Sequence, residues 1–208
     1  MKTLLALTIL AAAPILAAEG SGVMTDAERA FLIDQLELSK KNMLASINGL
    51  TDAQWHFKPA PEVWSVAECA EHIVLAEDLL FGSAQQILKT PVIPRPESST
   101  AEYDKKLVLA VNDRSQKASA PEPIKPTGKF NTPEDAAREF IARRDKSIAY
   151  VKTTNDDLRV HATKGPLGMM DSYQFLLLMA VHAGRHTAQI KEVESNPNFP
   201  KTTASLVH

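Results

Sequence analysis

The sequence predicts an all-α protein, a four-helix bundle in which one long crossover joins the second helix to the third. Three observations carry that expectation. The chain has 208 residues, 44% hydrophobic and 23% charged, enough for one core of ordinary size. Only 6% of residues are aromatic and 8 are glycine, while Leu, Ala, Glu, Lys and Gln abound, which favours helix over sheet on propensity. Four long stretches carry apolar residues at helical spacing behind a capping residue, and no stretch makes a convincing strand.

Residues 1–18 precede the bundle. Lys2 supplies a positive start, Thr3 to Leu16 is almost wholly apolar, and Ala17-Ala18 leads into Glu19-Gly20-Ser21-Gly22. That order reads as a secretory signal peptide, because a membrane anchor needs about 20 apolar residues. The expected mature protein begins near Glu19, is secreted or periplasmic, and has no stable membrane anchor. No cysteine stands near the cut to accept a lipid.

The bundle domain is expected over 24–195. Thr25 and Glu28 form a capping box that opens the first helix, about 25–49, in an apolar pattern through Phe31, Leu32, Leu36, Leu38, Met43, Ile47 and Leu50. A turn over 51–55 follows, then Pro59 and Pro61, which forbid helix. Ser65 and Glu68 repeat the box and start the second helix, striped by Val66, Cys69, Ile73, Ala76 and Leu80. Residues 90–131 hold six of the 13 prolines and are too long for a turn, so they read as a crossover with a short helix over 103–116. Thr132 with Pro133 at the first helical position begins the third helix, carrying Phe140, Ile141, Ile148 and Val151. Gly165 to Gly168 reads as a loop, and Asp171 caps the fourth helix, which stops before Pro197. A C-terminal tail over 196–208 completes the chain.

The net charge is −2, and −3 once Lys2 is removed with 1–18, so no basic excess exists for nucleic acid or an anionic membrane surface. The single Cys69 excludes an internal disulfide.

Chemistry concentrates on the fourth helix, where His182 and His186 stand at i and i+4, one turn apart on one face. Such a pair is a solvated pair, two core histidines satisfied by hydrogen bonds, or two ligands of one metal ion. The face they share with Phe175, Leu178, Met179, Ile190 and Val193 points inward. There, imidazoles without partners are costly. His72, beside the stripe of the second helix, is the best third ligand. His56 and His161 fall in loops and His208 is terminal, so all three are expected to be solvent-exposed, with His161 kept in view because it closely precedes the fourth helix. Cys69 reads as packing or, less simply, as a thiolate ligand. Glu68 reads as a cap or as a carboxylate facing the metal cavity.

These residues resemble the DinB-like bundle proteins of the YfiT type. The resemblance rests on Trp64-Ser65-Val66-Ala67-Glu68 with His72 eight residues after the Trp, on Gly165-Pro166-Leu167-Gly168, and on His182-x-x-x-His186 followed by Gln189-Ile190. It covers about 24–195. It implies a divalent transition metal, Zn or Ni, held by His72, His182 and His186, and a homodimer as a common assembly. Gln189 stands where some relatives have a further histidine. Three neutral imidazoles leave coordination positions open, as in catalytic sites. The first functional reading is metal-dependent hydrolysis of a small-molecule substrate. A thiol-dependent S-transferase or isomerase of the same type is the alternative, disfavoured because an exported protein lacks a supply of reduced cytosolic thiol. The third reading is a non-catalytic small-ligand or metal-binding module. Glu68, Asp171 and Arg185 have cap or surface explanations, so no catalytic residue is assigned.

Overall fold

The computed structural model describes residues 22–93, 97–115 and 119–201; the expected signal peptide and His208 lie outside them. In chain order the elements are α1 (Asp26–Ile47), α2 (Asp52–Trp55), α3 (Val66–Ile87), α4 (Glu97–Asn112), a 3-10 turn (Glu122–Ile124), α5 (Pro133–Thr153), β1 (Ala162–Gly165), β2 (Gly168–Asp171) and α6 (Ser172–Glu194). Helices α1, α3, α5 and α6 are the four-helix bundle. Helix α6 packs against α3 and α1, α5 packs against the same two, and α4 lies on α6.

The helix starts follow from their caps. Thr25, Ser65 and Asp171 each accept the N3 amide while Glu28, Glu68 and Gln174 reach back to the cap amide. Thr132 accepts from the Asp135 amide ahead of α5, with Pro133 where a missing N–H costs nothing. The expected turn over 51–55 is a helical turn, α2, because Thr51 and Gln54 form a further capping box.

Two expectations need correction. Phe31 and Leu38 are 45% and 52% exposed, and Ile141 is exposed too. On α1 the buried face is instead Leu32, Leu36, Met43 and Ile47 with Ser39 and Ser46, whose hydroxyls bond to backbone carbonyls of their own helix. Second, strands do occur: residues 162–171 form an antiparallel hairpin, pairing Ala162 with Asp171 and Gly165 with Gly168, and the loop expected at Gly165 to Gly168 is its turn. Its four-residue strands contain Lys, Gly and Met, too short and too mixed for a period-2 signal. Gly168 takes φ +109, and a Cβ on Gly165 would lie 2.9 Å from the Phe175 ring. The start of the tail packs against the bundle: Gln54 Nε2 donates to the Pro200 carbonyl at 2.9 Å and Phe199 meets Phe57 edge-on at 5.5 Å. The helix of the crossover begins earlier than expected, at Glu97. No described helix is long and apolar enough to cross a membrane.

Candidate metal centre

Ser65 starts α3 so that His72 falls two turns in, 2% exposed. Asp171 starts α6 so that His182 and His186 fall in its middle, on the face turned to α3. The two helices run antiparallel, with Ser172 at the start of α6 donating its hydroxyl to the Ala84 carbonyl near the end of α3. This brings the three histidines together: one ring nitrogen from each lies within 4.8 Å of the others. The Nε2 atoms of His72 and His182 are 3.2 Å apart, and the His186 ring is centred 4.4 Å from His72 and 4.5 Å from His182.

The hydrogen bonds around the rings decide which nitrogens face inward. His72 Nδ1–H donates to the Ile124 carbonyl at 2.7 Å, and His186 Nδ1–H donates to Gln189 Oε1 at 2.9 Å. Both Nε2 atoms therefore carry a lone pair. Burial, and then neighbouring histidines, push the pKa of His182 well below its ordinary value and that of His186 down to about 3. Burial also lowers His72, against the raising effect of the Ile124 carbonyl. The cluster is thus a set of neutral nitrogen donors, the form that ligates. The separation of 3.2 Å compares with about 3.3 Å for an edge of a tetrahedron with metal–nitrogen distances of ~2.0–2.1 Å. The donor set fits a divalent transition ion.

The other candidates stand elsewhere. His56 has a half-exposed side chain beside Asp52. His161, expected in solvent, is half-buried and donates Nδ1–H to the Thr90 carbonyl at 2.7 Å, next to the bridge it makes with Val92. Cys69 is fully buried and burial pushes its thiol up to about 12, so it packs and does not join the cluster. Glu68 is the N3 carboxylate of the capping box of α3, bonded to the Ser65 amide at 2.7 Å and paired with Lys58 at 2.8 Å, and it lines the cavity without joining the histidine cluster. Arg185 donates to the Val111 and Asp113 carbonyls, closing the C-terminal end of α4.

Some participants left little trace in the sequence. Ile124 acts through its backbone carbonyl, which side-chain reasoning cannot see. Gln189 stands three residues after His186, a spacing the sequence shows, but in the sequence alone it marks only a departure from a family pattern. Trp64 lays its ring 4.9 Å from His72 and 6.1 Å from His186. Glu71, beside His72, accepts the amides of Thr127, Gly128 and Lys129 at 2.8–3.0 Å, where Gly128 has φ +82. Adjacent residues of α3 therefore hold the crossover, Glu71 at 127–129 and His72 at Ile124. The cluster opens into a cavity of about 1580 Å³ between α3, α6, α4, the crossover and the hairpin.

The comparisons with known proteins agree with this architecture. The model of the DinB superfamily matches residues 35–190. YuaE of Bacillus subtilis (strain 168), an uncharacterized protein, is 25% identical over 149 residues, covering 71% of this chain and 88% of its own length. In fold the chain is similar to YfiT of Bacillus subtilis, described as a probable metal-dependent hydrolase with an unusual four-helix bundle topology. The TM-score is 0.56 at 16% identity, over 82% of this chain and 88% of that one. Matched over most of its length by the family model, with a bundle of this kind and three histidines gathered from two of its helices, the chain belongs to the DinB superfamily.

Proposed function

We propose that the protein is an exported metal-dependent hydrolase of a small molecule, with His72, His182 and His186 as ligands of one divalent ion. The observation that carries the reading is the convergence of three neutral imidazole nitrogens within 4.8 Å at the wall of a large cavity. Imidazole donors suit zinc and nickel alike. When bound, such an ion supplies Lewis acidity and a coordinated water of lowered pKa. The chain's own part is preparation. The Ile124 carbonyl and Gln189 fix the Nδ1–H tautomers of His72 and His186, an arrangement that orients metal ligands and raises their basicity. Trp64 covers one side of the His72 and His186 rings, and the cavity removes substrate from bulk water. Among the described residues no carboxylate joins the histidine cluster, so the ligand sphere contributed by the chain is neutral. The fold likeness to YfiT supports the same reading. Export is supported by the order of Lys2, apolar run and small residues at the N-terminus.

The test is elemental analysis of untagged protein, wild type against the His182→Ala/His186→Ala double variant, followed by a panel of hydrolase substrates on the metallated form. The expected wild type carries about one divalent ion per chain, melts lower in chelator, and turns over a substrate that the double variant does not. Equal metal content in both proteins would overturn the site. Hydrolysis by a metal-free preparation would overturn the metal-dependent mechanism. Intact mass of the extracytoplasmic fraction checks export: a chain beginning near Glu19 is expected, and uncut chain confined to the cytosol would remove it.

A further inference from the structure

The cavity runs past the histidines on both sides, to Pro59 and Asn196 one way and to the hairpin the other. Its two ends differ in charge. Toward Pro59 and Asn196, groups of both signs line the wall, and most have partners. Arg114 holds Glu192 with two bonds of 2.8 and 2.5 Å, Lys125 pairs with Glu122, and Glu68 pairs with Lys58. Arg185 donates to the Val111 and Asp113 carbonyls, and the Asp113 carboxylate accepts the Ser115 amide. Glu62 is the exception: no ion pair or hydrogen bond holds its carboxylate among the described residues.

The hairpin end is walled by Leu79, Leu80, Ile87, Phe175 and Leu178, and among the described residues the one charged group on it is Lys164. The hydroxyls of Ser83 and Thr90 are satisfied by carbonyls of Leu79 and Ile87. Among the described residues nothing pairs with the Lys164 ammonium, and the hydroxyl of Thr163 beside it has no hydrogen bond. Strand β1 fixes where that ammonium starts. Lys164 pairs in register with Met169, and the next residue, Gly165, lies so close to α6 that a Cβ there would stand 2.9 Å from the Phe175 ring. Phe175 precedes His182 by seven residues, a rise of about 10 Å along α6. A cation without a counter-ion thus stands across an apolar wall from the histidine cluster, and an anion without one stands beyond the cluster on the opposite side.

We infer that the hairpin end is an anion subsite: the ligand of the cavity carries a singly charged carboxylate that meets Lys164 and Thr163, joined by an apolar segment to the part lying at the histidines. One lysine balances one negative charge, and the apolar wall between disfavours further polar groups along the segment. Glu62 repels an anion from the opposite end and so sets which way the ligand lies. The inference rests on the hydrolase reading only for the bond acted on at the histidines.

Calorimetric titration of the chelator-treated protein with octanoate, octanol and octylammonium compares three heads on one apolar chain and needs no turnover. Octanoate should bind about two- to fivefold tighter than octanol and octylammonium weaker than either. The advantage of octanoate should shrink as salt rises from about 0.05 to 0.5 M. Lys164→Gln should remove that advantage and leave octanol unchanged, and Lys164→Arg should keep it. Lys105→Gln, the same charge change on α4 outside the cavity, should alter nothing. The Lys164 variants should carry as much metal as wild type, which separates loss of the subsite from loss of the metal centre. Octanoate no tighter than octanol, or binding of none of the three, overturns the proposal. So does an octanoate advantage that survives Lys164→Gln, which would put the anion at Arg114 or Arg185. Failure of the hydrolase panel with Lys164-dependent octanoate binding intact sinks the reaction alone and leaves the subsite standing.

Discussion

A neutral imidazole offers one lone pair, and the partner of its other nitrogen decides where that pair points. In this protein that choice is made by a backbone carbonyl for His72 and by the side chain of Gln189 for His186. Gln189→Leu removes the acceptor without touching any of the three histidines. Metal affinity should drop about 10- to 100-fold, read by competition with a chromogenic chelator, with the helical circular dichroism unchanged. A second consequence concerns pH. An unfolded histidine titrates near 6.5, and burial holds His182 and His186 below that value in the folded chain, His186 down to about 3. Below pH 6.5 the unfolded chain therefore binds more protons than the folded one, and stability falls as pH falls. Above 6.5 these groups contribute no pH dependence. For His186 the loss continues until the folded form takes up the proton near pH 3. Thermal melts in chelator should be flat from about pH 8 to 7 and decline below about 6.5. The decline should be shallower in His186→Gln. An identical slope in that variant would mean that His186 is protonated in the folded chain.

At the scale of elements, the crossover helix α4 is fastened to the bundle at its middle and at its C-terminal end. Arg159 binds Asp104 of α4 at 2.5 Å, Glu28 of α1 at 2.6 Å and Asp171, the cap of α6, at 3.0 Å, and lies 3.9 Å over the Tyr173 ring. Gln174 adds a bond to Asp104 at 2.8 Å. At its C-terminal end Arg185 takes the Val111 and Asp113 carbonyls. Arg159→Leu would leave Asp171, fully buried, facing other carboxylates with no cation between them. Removing one partner of a buried pair costs about 3–5 kcal/mol. The melting temperature should fall accordingly, and amide exchange should accelerate in α4 before the rest of the bundle. Uniform exchange across all helices would show that Arg159 does not fasten α4 in particular.

For the whole molecule the corresponding feature is Arg144, fully buried on α5. It pairs with Glu77 of α3 at 2.5 and 2.8 Å and donates to Ser39 Oγ and the Leu36 carbonyl of α1 at 2.6 and 3.0 Å. A bond of 3.4 Å to the Met179 carbonyl brings in α6. One guanidinium thus touches all three other bundle helices. Arg144→Met alone should cost about 3–5 kcal/mol, because Glu77 is left buried and alone, whereas Arg144→Met with Glu77→Leu should recover most of it. Urea unfolding of the two variants measures both values. A double variant as unstable as the single one would mean that the backbone and Ser39 bonds, not the ion pair, hold the four helices in register.

The sequence by itself determined what depends on neighbours along the chain. Capping boxes reach three residues, helical stripes repeat every three to four, and prolines act where they stand, so the four bundle helices, their starts and the crossover were legible. The pairing of His182 with His186 was legible for the same reason, being one helical turn. Tertiary structure decided what depends on distance between helices. His72 meets that pair only because α3 and α6 run antiparallel in contact. Its place beside the apolar stripe of the second helix made it the best candidate and the family resemblance agreed, while spacing along the chain could not show that it meets the pair. Phe31 and Leu38 belong to the apolar pattern of α1 yet face outward, because burial is set by which neighbour arrives. The hairpin over 162–171 exists through pairing that strands of four residues cannot announce. The acceptors that orient two of the histidines, a carbonyl in the crossover and a glutamine read as a departure from the family, acquire their role only when the fold places them against an imidazole.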